Sequence, residues 1–198
     1  MTVDRIVPLT PEHWDALAAL FAEGGDPRFC WCMFWRLRSS AFSSNRIVDN
    51  RDGLRHLATE AAAGARPAPG LVALDGSRAV GWVSLGPRID FERLERSRTI
   101  PRVDDRPVWS IVCFVVSAAD RGSGIARELL NAAIGYGREH GAPALEAYPA
   151  ATDGSRLPPG AMYTGALSLF ETAGFQRVAA TTSHTAGTPR VIVRMELS

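Results

Sequence analysis

The chain contains no lysine. All 22 of its basic residues are arginines, set against 21 acidic residues for a net charge of +1 over 198 residues. That absence removes every mechanism that needs a lysine, Schiff-base chemistry and the Gly-Lys-Ser/Thr phosphate loop among them. The even charge balance argues against a dedicated nucleic-acid binder, which would carry a concentrated basic excess. Cysteine is scarce as well, and Cys30, Cys32 and Cys113 do not make a disulfide framework. Cys30 and Cys32 supply at most half a zinc site. No Cys or His pair follows at ligand spacing, so no metal is expected. The longest apolar stretch, Ile111–Val116, is far too short to cross a bilayer. The opening residues Met1-Thr2-Val3-Asp4-Arg5 lack the basic head and apolar run of a signal peptide. Together these absences predict a soluble, cytoplasmic protein with no membrane or nucleic-acid partner. A hydrophobic fraction of 46% at this length, without internal repeats, predicts a single domain over residues 1–198.

What is present alternates between strand and helix patterns. Val3–Leu9 reads as a strand. Thr10 and Pro11 then cap a helix with the apolar stripe Trp14, Leu17, Leu20 and Phe21, which Gly24-Gly25 stops. An aromatic patch, Cys30–Trp35, precedes a second helix predicted over Asp52–Ala63. Leu71–Leu74 and Ala79–Leu85 flank Asp75-Gly76-Ser77, a hairpin signal. The charged connector from Gly86 to Pro107 is long for a plain loop, which predicts a short helix near Phe91–Arg96 or a lid. Val108–Val116 is apolar and β-branched, as in a strand buried on both faces. A helix spans Gly124–His140, with Ile125, Leu129, Ala133 and Tyr136 at helical spacing. After it come a short strand at Ala144–Tyr148 and a Pro/Gly-rich loop at Pro149–Gly160. A helix at Thr164–Ala173 and strands at Gln176–Ala180 and Arg190–Leu197 close the chain.

The chemistry-bearing segment is Asp120-Arg121-Gly122-Ser123-Gly124-Ile125-Ala126-Arg127. It joins the most buried strand to the longest helix. A turn there aims several backbone N–H groups at one spot, and the helix N-terminus adds about half a positive charge. Such a corner suits a pyrophosphate, and glycines at 122 and 124 let a ligand approach the backbone. It is not the dinucleotide fingerprint, because Arg127 stands where the third glycine belongs. A tight turn without a ligand would read the same way.

These residues resemble the GNAT superfamily of N-acetyltransferases. That family carries Arg/Gln-x-x-Gly-x-Gly/Ala here, and Arg121–Ala126 reads Arg-Gly-Ser-Gly-Ile-Ala. The family precedes the motif with an apolar strand, here Trp109–Val116, and later has an aromatic, three residues and Gly-Phe, here Phe170 and Gly174-Phe175. The order of elements matches along nearly the whole chain. The resemblance implies an α+β fold of GNAT type, a mixed, splayed β-sheet flanked by helices. It implies acetyl-CoA as co-substrate, an acyltransferase activity on the primary amine of an acceptor, and a small molecule as that acceptor, with a protein N-terminus left open. A homodimer stays open. It also implies that the backbone of Phe114, Val115 and Val116 lacks a neighbouring strand and pairs with the pantetheine arm. Residues Arg121, Gly122, Ser123, Gly124, Ile125, Ala126 and Arg127 would hold the pyrophosphate.

The sequence departs from the family at the proton donor. Where many members have a tyrosine stands Phe170, and Tyr163 replaces a frequent asparagine seven residues earlier. Tyr163 is therefore the candidate catalytic acid, with Tyr148 or water as alternatives. Glu146, His184 and the acids of the connector are open as bases. Trp31, Trp35, Trp82 and Arg88 are candidate substrate-binding residues, and Phe34 belongs with them. Phe170 keeps a second function in view, a non-catalytic acyl-CoA-binding regulatory module.

Overall fold

The computed structural model describes residues 3–152 and 157–197. The chain-order elements are β1 (Arg5–Pro8), α1 (Trp14–Ala22), α2 (Pro27–Cys30), α3 (Ser39–Ser44), α4 (Ile47–Ala62), β2 (Gly70–Asp75) and β3 (Arg78–Pro87). There follow α5 (Glu92–Glu95), β4 (Trp109–Val116), α6 (Ile125–Glu139), β5 (Ala144–Ala147), α7 (Leu167–Thr172), β6 (Gln176–Thr185) and β7 (Thr188–Glu196). All seven strands form one sheet in the order β1-β2-β3-β4-β5-β7-β6. Every neighbouring pair is antiparallel except β4 and β5, which run parallel. Parallel neighbours need a crossover, and α6 supplies it. The fold is α+β, a mixed sheet flanked by helices.

The hairpin of β2 and β3 turns at Gly76, whose φ of +60° suits a residue without Cβ. The Gly76 N–H donates to Asp4 Oδ2 at 2.6 Å, which ties β1 to the same corner. The core has two halves, one on each face of the sheet. Val83, Ile111, Phe114, Leu129, Phe170 and Phe175 pack between the sheet, α6 and α7. Trp14, Phe21, Trp31, Trp82, Val112 and Tyr148 pack beneath α1–α5. Fully burying one such side chain contributes about 1.5–3 kcal/mol, so both faces of β3 and β4 are needed.

Several element boundaries differ from the sequence reading for local reasons. α4 starts at Ile47 rather than Asp52. Asp49 accepts the Arg46 backbone N–H at 2.7 Å and closes a capping box around a residue type that rarely caps. Thr10 makes no side-chain cap; a single 3₁₀ turn at Pro11–His13 leads into α1 instead. α7 begins at Leu167 because Gly165, at φ +85°, interrupts the helix. β6 runs on to Thr185, since Ala186-Gly187 takes positive φ values and hairpins into β7. The Pro149–Gly160 loop lies in part outside the described residues.

The connector contains a 3₁₀ turn at Arg88–Asp90 and then α5, and arginines strap it down. Arg88, 2% exposed, donates to Glu95 at 2.9 Å, Glu146 at 3.2 Å and the Tyr148 hydroxyl at 2.7 Å. Arg194 donates from Nη2 to Glu146 at 2.7 Å and from Nη1 to Asp104 at 2.5 Å. Arg106 pairs with Glu196 at 2.7 Å. Among the described residues no helix is long and apolar enough to cross a membrane.

Two expectations follow. A Cβ on Gly70 would lie 2.2 Å from the Val83 carbonyl oxygen and 2.3 Å from a Trp82 ring carbon. Gly70→Ala should therefore cost about 1–3 kcal/mol in urea unfolding by overpacking; unaltered stability would contradict this packing. Asp49, Glu92, Asp104, Asp120 and Glu196 are each held below the usual carboxylate range, in every case first by a hydrogen-bonded arginine. Depressed folded values mean that this stability is complete above the unfolded pKa, about 4, and is lost as pH falls through the folded values. Urea midpoints should be level from about pH 7 to 5 and drop below about pH 4. A midpoint unchanged in acid would contradict it.

Candidate active site at the β4–β5 gap

The site starts from one extra residue in β4. Ser84 of β3 stands opposite Cys113 and Leu85 opposite Ile111, which leaves Val112 as a bulge. A bulge bends its strand and re-aims side chains. Ile111 packs on the α6 face, whereas Val112 and Cys113 both pack on the opposite one. On its other edge β4 pairs with β5 only over Trp109–Ile111 against Leu145–Ala147. Beyond the bulge the two strands part.

Backbone groups beyond the bulge alternate between edges. The Ser117 N–H donates to the Val80 carbonyl at 3.0 Å, and Val115 lies opposite Trp82. Val115 and Ser117 thus face β3, while Phe114 and Val116 face the gap. This corrects the expectation for Val115. Val115 has β3 as its neighbour, and the Phe114 N–H is already engaged, donating to the Tyr163 carbonyl at 2.6 Å.

Past the end of β4, a 3₁₀ turn at Ala118–Asp120 leads to the glycine corner. Gly122 and Gly124 have φ of +82° and +92°, values that side chains disfavour. Asp120 is buried and accepts from Arg78 Nη1 at 2.8 Å, which holds its carboxyl below the usual range and anchors the corner to β3. The Arg127 and Glu128 N–H groups return to the Gly124 carbonyl. The N–H groups of Ile125 and Ala126 precede the first intrahelical bond and point outward. A Cβ on Gly122 would meet nothing within 4 Å, so the approach is open. Arg121 and Arg127 are exposed beside it.

On the α1–α4 side of β4 lies a cavity of about 350 Å³. Phe29, Phe34, Trp35, Phe42 and Tyr163 form its walls. Cys30, Cys32 and Cys113, all the cysteines of the chain, meet at the same cavity, and Asp26 is the one carboxylate among the described residues that lines it. Cys32 has Cys113 as a thiol neighbour, and Cys30 has Cys32. These contacts and burial push both thiols well up, so they stay neutral. Among the described residues no three His, Cys, Asp or Glu are arranged to hold a metal ion. A larger groove of about 920 Å³ between α4 and α6, with Arg66, Tyr136 and His140 on its walls, contains none of the candidate residues.

The profile of the acetyltransferase (GNAT) family matches residues 31–156, well over half of the chain. The chain belongs to the GNAT family. No curated protein matches its sequence. Its fold is similar to an N-acetyltransferase from Staphylococcus aureus Mu50, at 15% identity and TM-score 0.57 over 98% of each chain. It is similar to a Salmonella typhimurium protein solved with its cofactor acetyl-CoA, at 14% identity and TM-score 0.56 over 100% of this chain and 95% of that one. It is also similar to a ribosomal-protein-alanine N-acetyltransferase from Brucella melitensis, at 19% identity and TM-score 0.56 over 98% of this chain and 99% of that one.

Within this GNAT fold the candidate residues separate into two groups. Trp35, Phe34 and Tyr163 line the cavity. Burial raises the Tyr163 pKa, and the charge of Arg190, whose guanidinium lies 5.2 Å from its ring centre, pulls the other way. Trp31, Trp82 and Arg88 do not line it. Trp31 stacks on Trp14 at 5.6 Å and meets Phe21 at 5.3 Å with the rings tilted by 57°. Trp82 is fully buried, and its indole N–H donates to Cys32 Sγ at 3.1 Å, so it supports the wall from behind. Arg88 belongs to the ion network described above.

The other acid–base candidates are similarly occupied. Glu146 accepts from Arg88, Arg194 and Tyr148, which leaves a carboxylate held by cations rather than a free base. The Tyr148 hydroxyl is shared among Arg88, Ser110 and Glu146, and burial pushes its pKa well up. His184 is exposed near the end of edge strand β6. Phe170 packs edge-on against Phe114 at 6.1 Å and Phe175 at 5.3 Å, a purely apolar role. Sequence reasoning missed Asp26, Phe29, Phe42 and Arg190. Nothing in their local spacing marks them, because they converge from separate elements.

Proposed function

We propose that this GNAT member is an acetyl-CoA-dependent N-acetyltransferase that acetylates the primary amine of a small molecule. The observation that carries the reading is one gap with a ligand-shaped feature at each end. The glycine corner of α6 lies past the end of β4, and the cavity of Trp35, Cys113 and Tyr163 opens beside the bulge. Family membership and the likeness to a structure solved with acetyl-CoA support it.

Acetyl-CoA supplies an activated thioester. The N–H groups at Gly122, Gly124, Ile125 and Ala126, with the guanidinium groups of Arg121 and Arg127, would hold its diphosphate, and the Ser123 hydroxyl would join them by leaving the Asp120 carbonyl to which it donates. Phe114 and Val116 offer the gap-facing backbone for its arm. The Phe114 N–H must first leave the Tyr163 carbonyl, an exchange of one hydrogen bond for another with a small net cost. Attack needs a neutral amine, and an alkylamine has a pKa of about 10.4. The apolar walls disfavour the charged form and so lower that value. The Tyr163 hydroxyl donates the proton to the departing sulfur, and Arg190 over its ring steadies the charge left behind. Phe170 favours a second reading, a non-catalytic acyl-CoA-binding regulatory module. Release of CoA thiol across an amine panel separates the two.

Two variants test the assignments. Gly124→Val places a β-branched residue at a φ of +92°. Calorimetry should show at least about a 100-fold loss of acetyl-CoA affinity, with the protein still folded by circular dichroism. An unchanged Kd removes the corner from the site. Tyr163→Phe should lower kcat by about 10²–10⁴-fold with little change in the acetyl-CoA Kd; an unaltered kcat ends its candidacy as the acid.

A further inference from the structure

The walls of the cavity beside β4 specify more than its position. We infer that the acceptor is an arylalkylamine, a primary amine on a short alkyl chain carrying one aromatic ring and no carboxylate or phosphate. The inference rests on the acetyl-transfer reading above and goes on to name the substrate class.

Size comes first. About 350 Å³ lies near the small end of the roughly 300–1,000 Å³ usual for ligand sites, which suits one ring and a short chain. The walls come next. Phe34 meets Trp35 edge-on at 5.1 Å and Phe42 edge-on at 5.4 Å, with interplanar angles of 86°. Rings set this way present both faces and edges to a further ring, the arrangement aromatic groups prefer. Arg93 braces the set from outside the cavity. Its guanidinium lies 4.1 Å from the Phe34 ring centre and 5.5 Å from that of Phe42, and its Nε donates to the Phe34 carbonyl at 2.6 Å. The aromatic surface is thus fixed before any ligand arrives.

Charge then narrows the class. Of the thiols on the remaining walls, Cys30 and Cys32 are held neutral by their thiol neighbours and by burial. Among the described residues no arginine or histidine lines the cavity, so they offer a carboxylate or phosphate on the acceptor no partner. Asp26 is exposed and Phe29 is 51% exposed, which places both at the open mouth. Asp26 attracts one ammonium group and repels an anion. A polyamine would bring additional cations that a single carboxylate does not match. A peptide would lay its N–H and C=O groups against rings that offer them nothing. At the inner end, Cys113 and Tyr163 adjoin the gap. There the amine nitrogen forms a C–N bond to the acetyl carbon and the C–S bond breaks. The bonding pair goes to sulfur, and one amine proton finally resides on the CoA thiol.

The test compares CoA thiol release with saturating acetyl-CoA and four acceptors: 2-phenylethylamine, phenylalanine, spermidine and tri-alanine. The expected kcat/KM for 2-phenylethylamine exceeds each of the others by about 100-fold or more. Phe42→Ala, at a half-buried wall position, should raise its KM about tenfold while the acetyl-CoA Kd by calorimetry holds. Equal or better use of phenylalanine, spermidine or tri-alanine overturns the acceptor class and leaves acetyl transfer standing. Demonstrated acetyl-CoA binding with no turnover of any of the four also overturns it. Absence of acetyl-CoA binding sinks both readings.

Discussion

The bulge at Val112 is the constraint on which the rest of the site depends. A β4 strand of regular register would send Cys113 to the α6 face and continue its ladder with β5 past Ile111. One additional residue does two things at once. It directs Cys113 into the cavity on the α1–α4 side, and it ends the parallel pairing so that Phe114 and Val116 face an opening. Closing that opening costs the chain little, since the Tyr163 carbonyl takes the Phe114 N–H. The same residue thus contributes its backbone to the gap and its ring to the cavity wall.

Around this point the aromatic segment is held in a conformation that it would not adopt alone. Trp31 and Cys32 have φ of 46° and 55°, in the left-handed region that costs a side-chain-bearing residue roughly 1–2 kcal/mol. Packing of Trp31 against Trp14 and Phe21, and the hydrogen bond from the Trp82 indole to Cys32, offset that cost. The reversal lets Trp31 enter the core while Cys32, Phe34 and Trp35 turn toward the cavity. Strain held by packing next to a ligand-sized space is a common arrangement at functional sites.

The electrostatics follow from having arginine as the only strong cation. A guanidinium is planar, stays charged when buried and can bond several acceptors at once. Arg88 and Arg194 use this to hold Glu146 between β5, β7 and the connector. Removing one member of such a buried set typically costs about 3–5 kcal/mol, so the network acts as architecture. Arg190 differs. It is buried against neutral acceptors, the Tyr148 carbonyl and the Thr164 hydroxyl, and spends its charge on the Tyr163 ring.

The amino-acid order by itself settled most of the elements, the hairpin at Gly76 and the glycine corner, because these are set by local periodicity and by φ values that only certain residues accept. Boundaries at α4 and β6 went unread where an arginine caps a helix and an Ala-Gly pair turns a hairpin, both outside the usual residue preferences. The cavity was legible only in part. Trp35 and Phe34 announced themselves as an aromatic run, but Trp31 of the same run and the strand residue Trp82 became core. Which ring faces the space and which supports it is decided by the bulge, by two left-handed residues and by the stacking of distant elements. Asp26, Phe42, Cys113, Tyr163 and Arg190 meet through the sheet rather than along the chain, so their proximity is a property of tertiary packing that no local spacing encodes.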